Sequence, residues 1–197
     1  MRRREFFERV PELFRRAHRT SWEKYEETLF SMRRPVTHGN YQRVKQFVGG
    51  NPPVAALRDT RPYPELDRVL SKAKYPRAGQ VTRLDEYADG NAEFATALLH
   101  FNNPAYPVYD AMSVRGLNHL GHPLNFVRSM SEDSIPAYQT YISLVQDFKD
   151  EIPYYFVPEK NYYLTRIVQE ALWQLGVESP APRTEKKVVK KRAAASE

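Results

Sequence analysis

One carboxylate with polar and aromatic neighbours is the feature of this sequence best suited to chemistry. Asp110 follows the polar linker N-N-P-A-Y-P (102–107) and precedes a run with apolar residues at Val114 and Leu117. This pattern predicts that Asp110 lies at the N-terminus of a helix. There it would face unpaired backbone N–H groups and the positive end of the helix dipole, so we expect it to stay ionised. Such a carboxylate can stabilise a developing cation, but an ordinary N-cap has the same position.

Candidate binding residues surround this carboxylate in the sequence. Pro104 and Pro107 stiffen the linker and would hold Asp110 in a fixed direction. We therefore interpret Asp110 as a candidate catalytic residue, and its neighbours as candidates for binding a substrate or a nucleic acid: His100, Asn103, Tyr106, Tyr109 and Arg115. Because N-caps are far commoner than catalytic carboxylates, the structural interpretation stays open beside the catalytic one.

The sequence gives less support for metal binding, phosphate binding or a serine nucleophile. His119 and His122 are three residues apart, but Gly121 separates them and no HExxH motif is present, so we predict no metal site. The phosphate-binding motifs GxGxxG and GxxxxGK[ST] are absent, and we predict no cofactor. No GxSxG motif is present either, and Ser113 and Ser129 are predicted to lie on helix surfaces.

The elements that would position Asp110 are all predicted to be helices. Apolar residues recur at helical spacing along most of the chain, which predicts an all-α, compact multi-helix domain. Asn91 or Asp89 is expected to cap the helix before the linker, and the last helix is predicted over about 159–175, with Gly176 as its stop. The weak strand candidates are Val54–Leu57 and 154–157.

A basic segment at the N-terminus has two interpretations. Its arginines alternate with aromatic residues, so it could be a helix that follows a phosphate backbone. It could equally be an amphipathic helix with a charged outer face and an aromatic inner face. The second interpretation is favoured because three acids dilute the positive charge: Glu5, Glu8 and Glu12.

Composition limits the classes of protein to consider. The chain has 197 residues, 41% of them hydrophobic and none of them cysteine, which excludes disulfides, thiolate zinc sites and cysteine nucleophiles. No apolar stretch has the length of a membrane span, so we expect a cytoplasmic protein without membrane contact. We expect a single helical domain over 1–178, whose helical N-terminal part is 1–90, and a disordered basic tail over 179–197.

The tail carries much of the net charge. From Arg183 to the end there are six cations and two carboxylates, a net charge of +4 within a total of +6. Binding of nucleic acid is therefore allowed by the charge but is not required by it. A protein partner is also possible, and the sequence does not indicate an oligomeric state.

The second half of the chain carries a resemblance to a known family. The passage F-A-T-A-L-L-H-F (94–101), Asn103-Pro104 and Y-P-V-Y-D (106–110) resembles uncharacterised proteins related to the helix-hairpin-helix DNA glycosylases, as does the closing run 164–176. The resemblance spans about 92–176. It implies that 91–178 is a glycosylase-like part that binds DNA, as in DNA repair. It also implies that Asp110 stabilises the cationic sugar as a base departs.

Departures from the family pattern limit this implication. No lysine lies between Lys74 and Lys149, so a Schiff-base lyase activity is not expected. The glycine-rich hairpin that grips phosphate is replaced by Asp89-Gly90-Asn91. The first interpretation is thus a DNA-binding, glycosylase-like protein, with base excision by a monofunctional enzyme if it is active. The alternative is a non-catalytic helical binding or scaffold protein with a protein or nucleic-acid partner.

The position of Asp110 separates these two interpretations. An enzyme should hold Asp110 at the mouth of a positively lined pocket with aromatic walls, because the extruded base must enter it. A scaffold should bury Asp110 as a cap.

Overall fold

A computed structural model describes residues 1–17, 22–32, 35–129, 131, 134–152 and 164–180, with Trp22 described by its backbone alone. Over these ranges the chain forms α-helices and one 3-10 helix and contains no strand, which confirms the all-α prediction. The helices are α1 (Arg3–Ala17), α2 (Trp22–Ser31), α3 (His38–Phe47), α4 (Val54–Leu57), α5 (Pro64–Leu70), the 3-10 helix (Ala78–Tyr87), α6 (Ala92–Asn102), α7 (Ala111–His119), α8 (Ile135–Glu151) and α9 (Leu164–Glu178).

The weak strand candidate at residues 54–57 is a helix. Val54–Leu57 forms the single-turn helix α4, and Pro53 precedes it with φ −62° and ψ 148°. Proline fixes a backbone angle suited to a helix start, and the two alanines of this turn are good helix formers. The other strand candidate, 154–157, lies outside the described residues.

Helix α9 is the centre of the fold. Twelve of its fifteen residues are buried, and it packs against α1, α7 and α8. Leu164, Val168 and Leu172 lie about one turn apart and form an apolar stripe along one face of it. Buried polar side chains, among them Arg166 and Gln169, lie on the rest of its circumference. The half-buried Trp173 is the largest side chain on its open side.

The prediction that Gly176 ends this helix is wrong. The helix continues to Glu178, and Gly176 lies against the backbone of α7. A Cβ atom at Gly176 would lie 1.9 Å from the carbonyl oxygen of Met112, and one at Gly116 would lie 2.1 Å from that of Leu172. The two glycines therefore allow the backbones of α7 and α9 to touch, a role in packing rather than in chain termination.

Helix α1 is amphipathic, as the favoured interpretation of the N-terminal segment predicted. Phe6, Phe7, Val10 and Leu13 are fully buried on one side of it. On the other side, most of the arginines form ion pairs with carboxylates of the protein: Arg3 with Glu151 (2.7 Å), Arg4 with Glu8 (3.0 Å), Arg9 with Glu178 (3.2 Å) and Arg16 with Glu12 (3.3 Å). Much of the charge that a phosphate backbone would need is thus balanced within the fold.

Ser179, just past the end of α9, is anchored to that helix. Ser179 is buried, and both its N–H (2.9 Å) and its Oγ (2.7 Å) donate to the carbonyl of Leu175. Residues 181–197, which make up nearly all of the predicted tail, lie outside the described residues. None of the helices that the structure describes combines the length and the apolar character needed to cross a membrane.

Candidate functional site

Asp110 is the N-cap of α7, in the backbone conformation expected for one. Its φ of −131° and ψ of 158° are extended, and Oδ1 accepts hydrogen bonds from the N–H groups of Met112 (3.0 Å) and Ser113 (2.9 Å). The other oxygen, Oδ2, accepts from Ser113 Oγ (2.7 Å) and from Gln169 Nε2 (3.2 Å). Only 2% of Asp110 is exposed. In this conformation the carboxylate is directed into the interface between α7 and α9, not towards solvent.

A row of polar residues on α9 supports this carboxylate. Gln169 donates to Asp110 and accepts from Arg166 Nη1 (3.1 Å), and Arg166 forms an ion pair with Glu170. All three side chains are buried. Each has at least one partner, as buried polar groups require. The cluster of Asp110, Ser113, Arg166, Gln169 and Glu170, here called the α7–α9 polar cluster, therefore joins two helices within the core.

The surface position predicted for Ser113 is wrong. Ser113 is fully buried because α9 covers the face of α7 on which it lies. The sequence could have indicated the α9 members of the cluster. Arg166, Gln169 and Glu170 follow one another at helical spacing in an otherwise apolar run, and polar residues so placed must find partners inside the protein.

His100 is a core residue. It is fully buried, with Nδ1 2.6 Å from the carbonyl oxygen of Tyr106 and Nε2 2.9 Å from Tyr25 Oη. A carbonyl can only accept, so Nδ1 carries the proton and Nε2 accepts from the tyrosine hydroxyl. Burial, followed by the positive charge of Arg166, lowers the pKa of His100 to about 3. The imidazole is therefore neutral at pH 7 and holds α2 against the linker before Asp110.

Asn103 and Tyr106 reach away from Asp110, towards the loop that follows α5. Asn103 Nδ2 donates to the carbonyl of Lys74 (3.0 Å), and the hydroxyl of Tyr106 donates to the carbonyl of Tyr75. The ring of Tyr106 is fully buried, and burial is the main reason that its pKa is raised. The two residues thus fix the backbone of residues 73–75.

Tyr109 and Arg115 also bond to backbone carbonyls. Tyr109 is fully buried, and its hydroxyl donates to the carbonyl of Asn125 (2.7 Å). Arg115 donates to the carbonyl of Ser179, just past the end of α9. The structure therefore brings His100 and Tyr106 into contact and places Tyr109 next to Asp110. Among the described residues, the other contacts of the predicted site diverge, since Asn103 and Tyr106 reach the loop after α5 and Arg115 reaches the end of α9.

The turn at residues 89–91 stands where the resemblance implies a phosphate-binding hairpin, and its N–H groups are bonded within the protein. Asp89 and Gly90 have positive φ angles of 51° and 69°, and Asn91 caps α6 by accepting from the N–H of Phe94 (2.9 Å). The consecutive N–H groups donate to carbonyls within the protein: Gly90 to Asp85, Asn91 to Ala88, and Ala92 to Arg128. Donors occupied in this way are not available to a phosphate.

A groove of about 710 Å³ lies elsewhere on the molecule. It is bounded by α2, α3 and the segment after α4, with Glu27, Thr37 and Arg58 among its lining residues. None of the six predicted site residues lines it. Over the described ranges, no group of three or more histidine and acidic residues is arranged to hold a metal ion.

The loop held by Asn103 and Tyr106 is basic and exposed. We call residues 71–77 the basic loop. It contains Lys72, Lys74 and Arg77, and each of these side chains is exposed. The basic character continues to Arg68 in α5 and Arg83 in the 3-10 helix, and no carboxylate lies anywhere in residues 68–84. None of these five cations forms an ion pair with another residue that the structure describes, in contrast to most of the arginines of α1.

The sequence contained a signal for the basic loop that helical periodicity does not detect. Five cations without an acid in seventeen residues is a strong charge pattern, although the segment shows no amphipathic repeat.

No protein-family model, curated protein or solved structure matches the chain.

Proposed function

We propose that this chain is a helical nucleic-acid-binding protein in which Asp110 has a structural role. The observation that carries the proposal is the exposed charge of the five cations in residues 68–84, none of which forms an ion pair with another residue that the structure describes. Lysine and arginine side chains that have no carboxylate partner can bind phosphates and displace the counterions that surround a nucleic acid. This release makes binding favourable and dependent on salt. The proposal corresponds to the binding-protein alternative, with a nucleic acid as the partner.

The surroundings of Asp110 favour a structural role over a catalytic one. The carboxylate is 2% exposed, and both of its oxygens are occupied by hydrogen-bond donors of α7 and α9. A substrate sugar would have to displace these donors, for example by separation of the two helices. Gly116 and Gly176 bring the helix backbones into direct contact, so separation would disrupt closely packed core.

The test is a titration of the full-length chain against fluorescent oligonucleotides at several salt concentrations. The test variant is Lys72→Gln/Lys74→Gln/Arg77→Gln. Its control is Arg2→Gln/Arg15→Gln/Arg58→Gln, which removes the same charge from exposed arginines elsewhere. We expect the loop variant to weaken binding and to lower the slope of log K against log salt by about 2, since each phosphate contact contributes about 0.7 on a single strand. Equal weakening by both variants, or no binding by the wild type, would overturn the proposal.

Base excision at Asp110 is a second candidate, favoured by one observation. Asp110 lies at the start of the helix that follows the proline-containing linker, where the resemblance puts the family's aspartate, although its burial as a cap is what the alternative predicts. The test is release of a base from a panel of damaged and unusual duplexes, read as strand scission after alkali. If excision occurs, Asp110→Asn should lower its rate by orders of magnitude while DNA binding persists. An active Asp110→Asn variant with an unchanged rate would end the catalytic interpretation.

A further inference from the structure

Tyr75 is unusual among the large apolar and aromatic side chains because its ring faces solvent. It is 72% exposed, more than Val54 (64%) or Phe30 (47%). Its ring stacks on no other ring within the part of the chain that the structure describes. Leaving such a ring in water forfeits the stabilisation that burial would bring, and a single exposed aromatic in a basic loop is a typical contact for a nucleic-acid base.

The backbone that carries Tyr75 is held on both sides. The carbonyl of Tyr75 accepts from the Tyr106 hydroxyl, and the preceding carbonyl of Lys74 accepts from Asn103. Pro76 follows, and a residue before proline is restricted to extended conformations. After the loop, the N–H of Ala78 donates to Gln139 Oε1 (3.0 Å). Because the loop is already ordered, a ligand that contacts it has a smaller entropic cost to overcome.

The charges near Tyr75 suit the phosphates on either side of a stacked base. Lys74 directly precedes the tyrosine, and Lys72 and Arg77 lie within three residues of it. A ring with cations on both sides matches a nucleotide chain, in which planar bases alternate with negative charges. In a duplex the base faces are covered by neighbouring base pairs, so the ring can stack only on an unpaired base.

We infer that Tyr75 is a stacking residue for unpaired bases, that the basic loop prefers single-stranded nucleic acid to duplex, and that Asn103 and Tyr106 are positioning residues for it. This inference depends on the proposed function and specifies its ligand. It gives two of the predicted binding residues an indirect role, since Tyr106 is fully buried and cannot touch a ligand itself.

The experiment compares three probes of equal length: oligodeoxythymidine, a duplex, and an oligomer of abasic nucleotides that keeps the phosphates but has no bases. We expect Tyr75→Ala to weaken binding of the full-length chain to oligodeoxythymidine about tenfold and to leave the other two affinities unchanged. Tyr75→Trp should restore binding, and Phe30→Ala, which removes an exposed aromatic elsewhere, should not affect it. Oligouridine, included as the RNA equivalent, should show the same loss with Tyr75→Ala, because stacking does not read the 2′-hydroxyl.

A matched pair of variants tests the positioning role of Tyr106. Tyr106→Phe and Tyr109→Phe each remove one hydroxyl that donates to a backbone carbonyl, at the basic loop and away from it respectively. We expect both to lower the melting temperature, but only Tyr106→Phe to weaken binding to oligodeoxythymidine and to reduce the preference for single strands. Equal effects of the pair on this preference would overturn the positioning role.

Failure of this inference can be distinguished from failure of the proposed function. If the triple charge variant weakens binding but Tyr75→Ala weakens all three probes equally, the loop binds phosphate without stacking and only the inference falls. If the charge variant has no specific effect, the proposed function falls as well. Tighter binding of the wild-type chain to phosphatidylserine vesicles than to oligodeoxythymidine would overturn the inference in favour of a membrane surface.

Discussion

Asp110 Oδ2 accepts a hydrogen bond of 3.2 Å from Gln169 Nε2, and this contact connects the N-terminus of α7 to the middle of α9. The same carboxylate uses Oδ1 to cap α7. One side chain therefore satisfies the otherwise unpaired N–H donors of a helix end and a donor on the central helix of the core. Its removal would leave buried donors on both helices without an acceptor.

We predict that Asp110→Ala lowers the free energy of unfolding by about 3 kcal/mol or more, because a lost cap costs about 1 kcal/mol and each stranded buried donor adds about 1–3 kcal/mol. Asp110→Asn keeps one acceptor and should cost about 1–2 kcal/mol. The measurement is urea unfolding. The control is Asn91→Ala, which removes an exposed N-cap of α6 and should cost about 1 kcal/mol. Equal losses for the two alanine variants would mean that the contacts with Ser113 and Gln169 contribute nothing.

The sequence predicted the local features around Asp110 but not what covers them. The N-cap position follows from residues 110–117 alone, and the structure confirms it. The partner Gln169 lies 59 residues further along the chain, and helical periodicity does not specify which helices meet. Gly176 shows the same limit. Glycine suits a helix end and a close helix contact equally well, and only the position of Met112 distinguishes the two roles.

The basic loop could not be positioned from the sequence for a different reason. The segment that directly follows the loop, residues 78–87, forms a 3-10 helix. Because the three-residue turn of such a helix does not give the apolar spacing of an α-helix, periodicity did not show where the loop ends. The contacts that order the loop come from Asn103 and Tyr106, some thirty residues away. The sequence identified these two residues as important but associated them with Asp110, their neighbour along the chain.

We predict that Gly116→Ala and Gly176→Ala are each strongly destabilising. The added Cβ atoms would lie 2.1 Å and 1.9 Å from backbone carbonyl oxygens, so α7 and α9 must move apart. The expected loss is about 3 kcal/mol for each, the upper end for an overpacked core. Thermal unfolding measures it. Gly79→Ala is the control, since nothing lies within 4 Å of its Cβ position. If all three variants have similar midpoints, the close helix contact does not contribute to stability.

We predict that His100 makes the protein less stable in acid. Burial and Arg166 lower its pKa from 6.5 to about 3. Between these values the unfolded chain binds a proton that the folded protein excludes. The contribution of the neutral His100 to the free energy of unfolding is therefore fully present above pH 6.5. It is lost as the pH falls towards 3, by up to about 1.4 kcal/mol per pH unit.

The measurement is the free energy of unfolding from pH 7 to pH 4, for wild type and His100→Gln. The variant should be less stable at pH 7, because it loses the hydrogen bonds to Tyr25 and Tyr106, but should show a flatter dependence on pH. His119→Gln, which makes the same substitution at an exposed histidine, is the control. Parallel curves for wild type and His100→Gln would show that His100 does not cause the acid sensitivity.

Deletion of residues 181–197 should leave the fold intact and weaken nucleic-acid binding without regard to sequence or strandedness. The deletion keeps Ser179, whose contacts with Leu175 complete the end of α9, so we expect the melting temperature to change by no more than a few degrees. It removes six cations, so affinity and its dependence on salt should both fall. Fixed geometry in the basic loop, by contrast, should maintain the preference for single strands in the truncated chain. Loss of that preference on truncation would assign the selectivity to the tail instead of Tyr75.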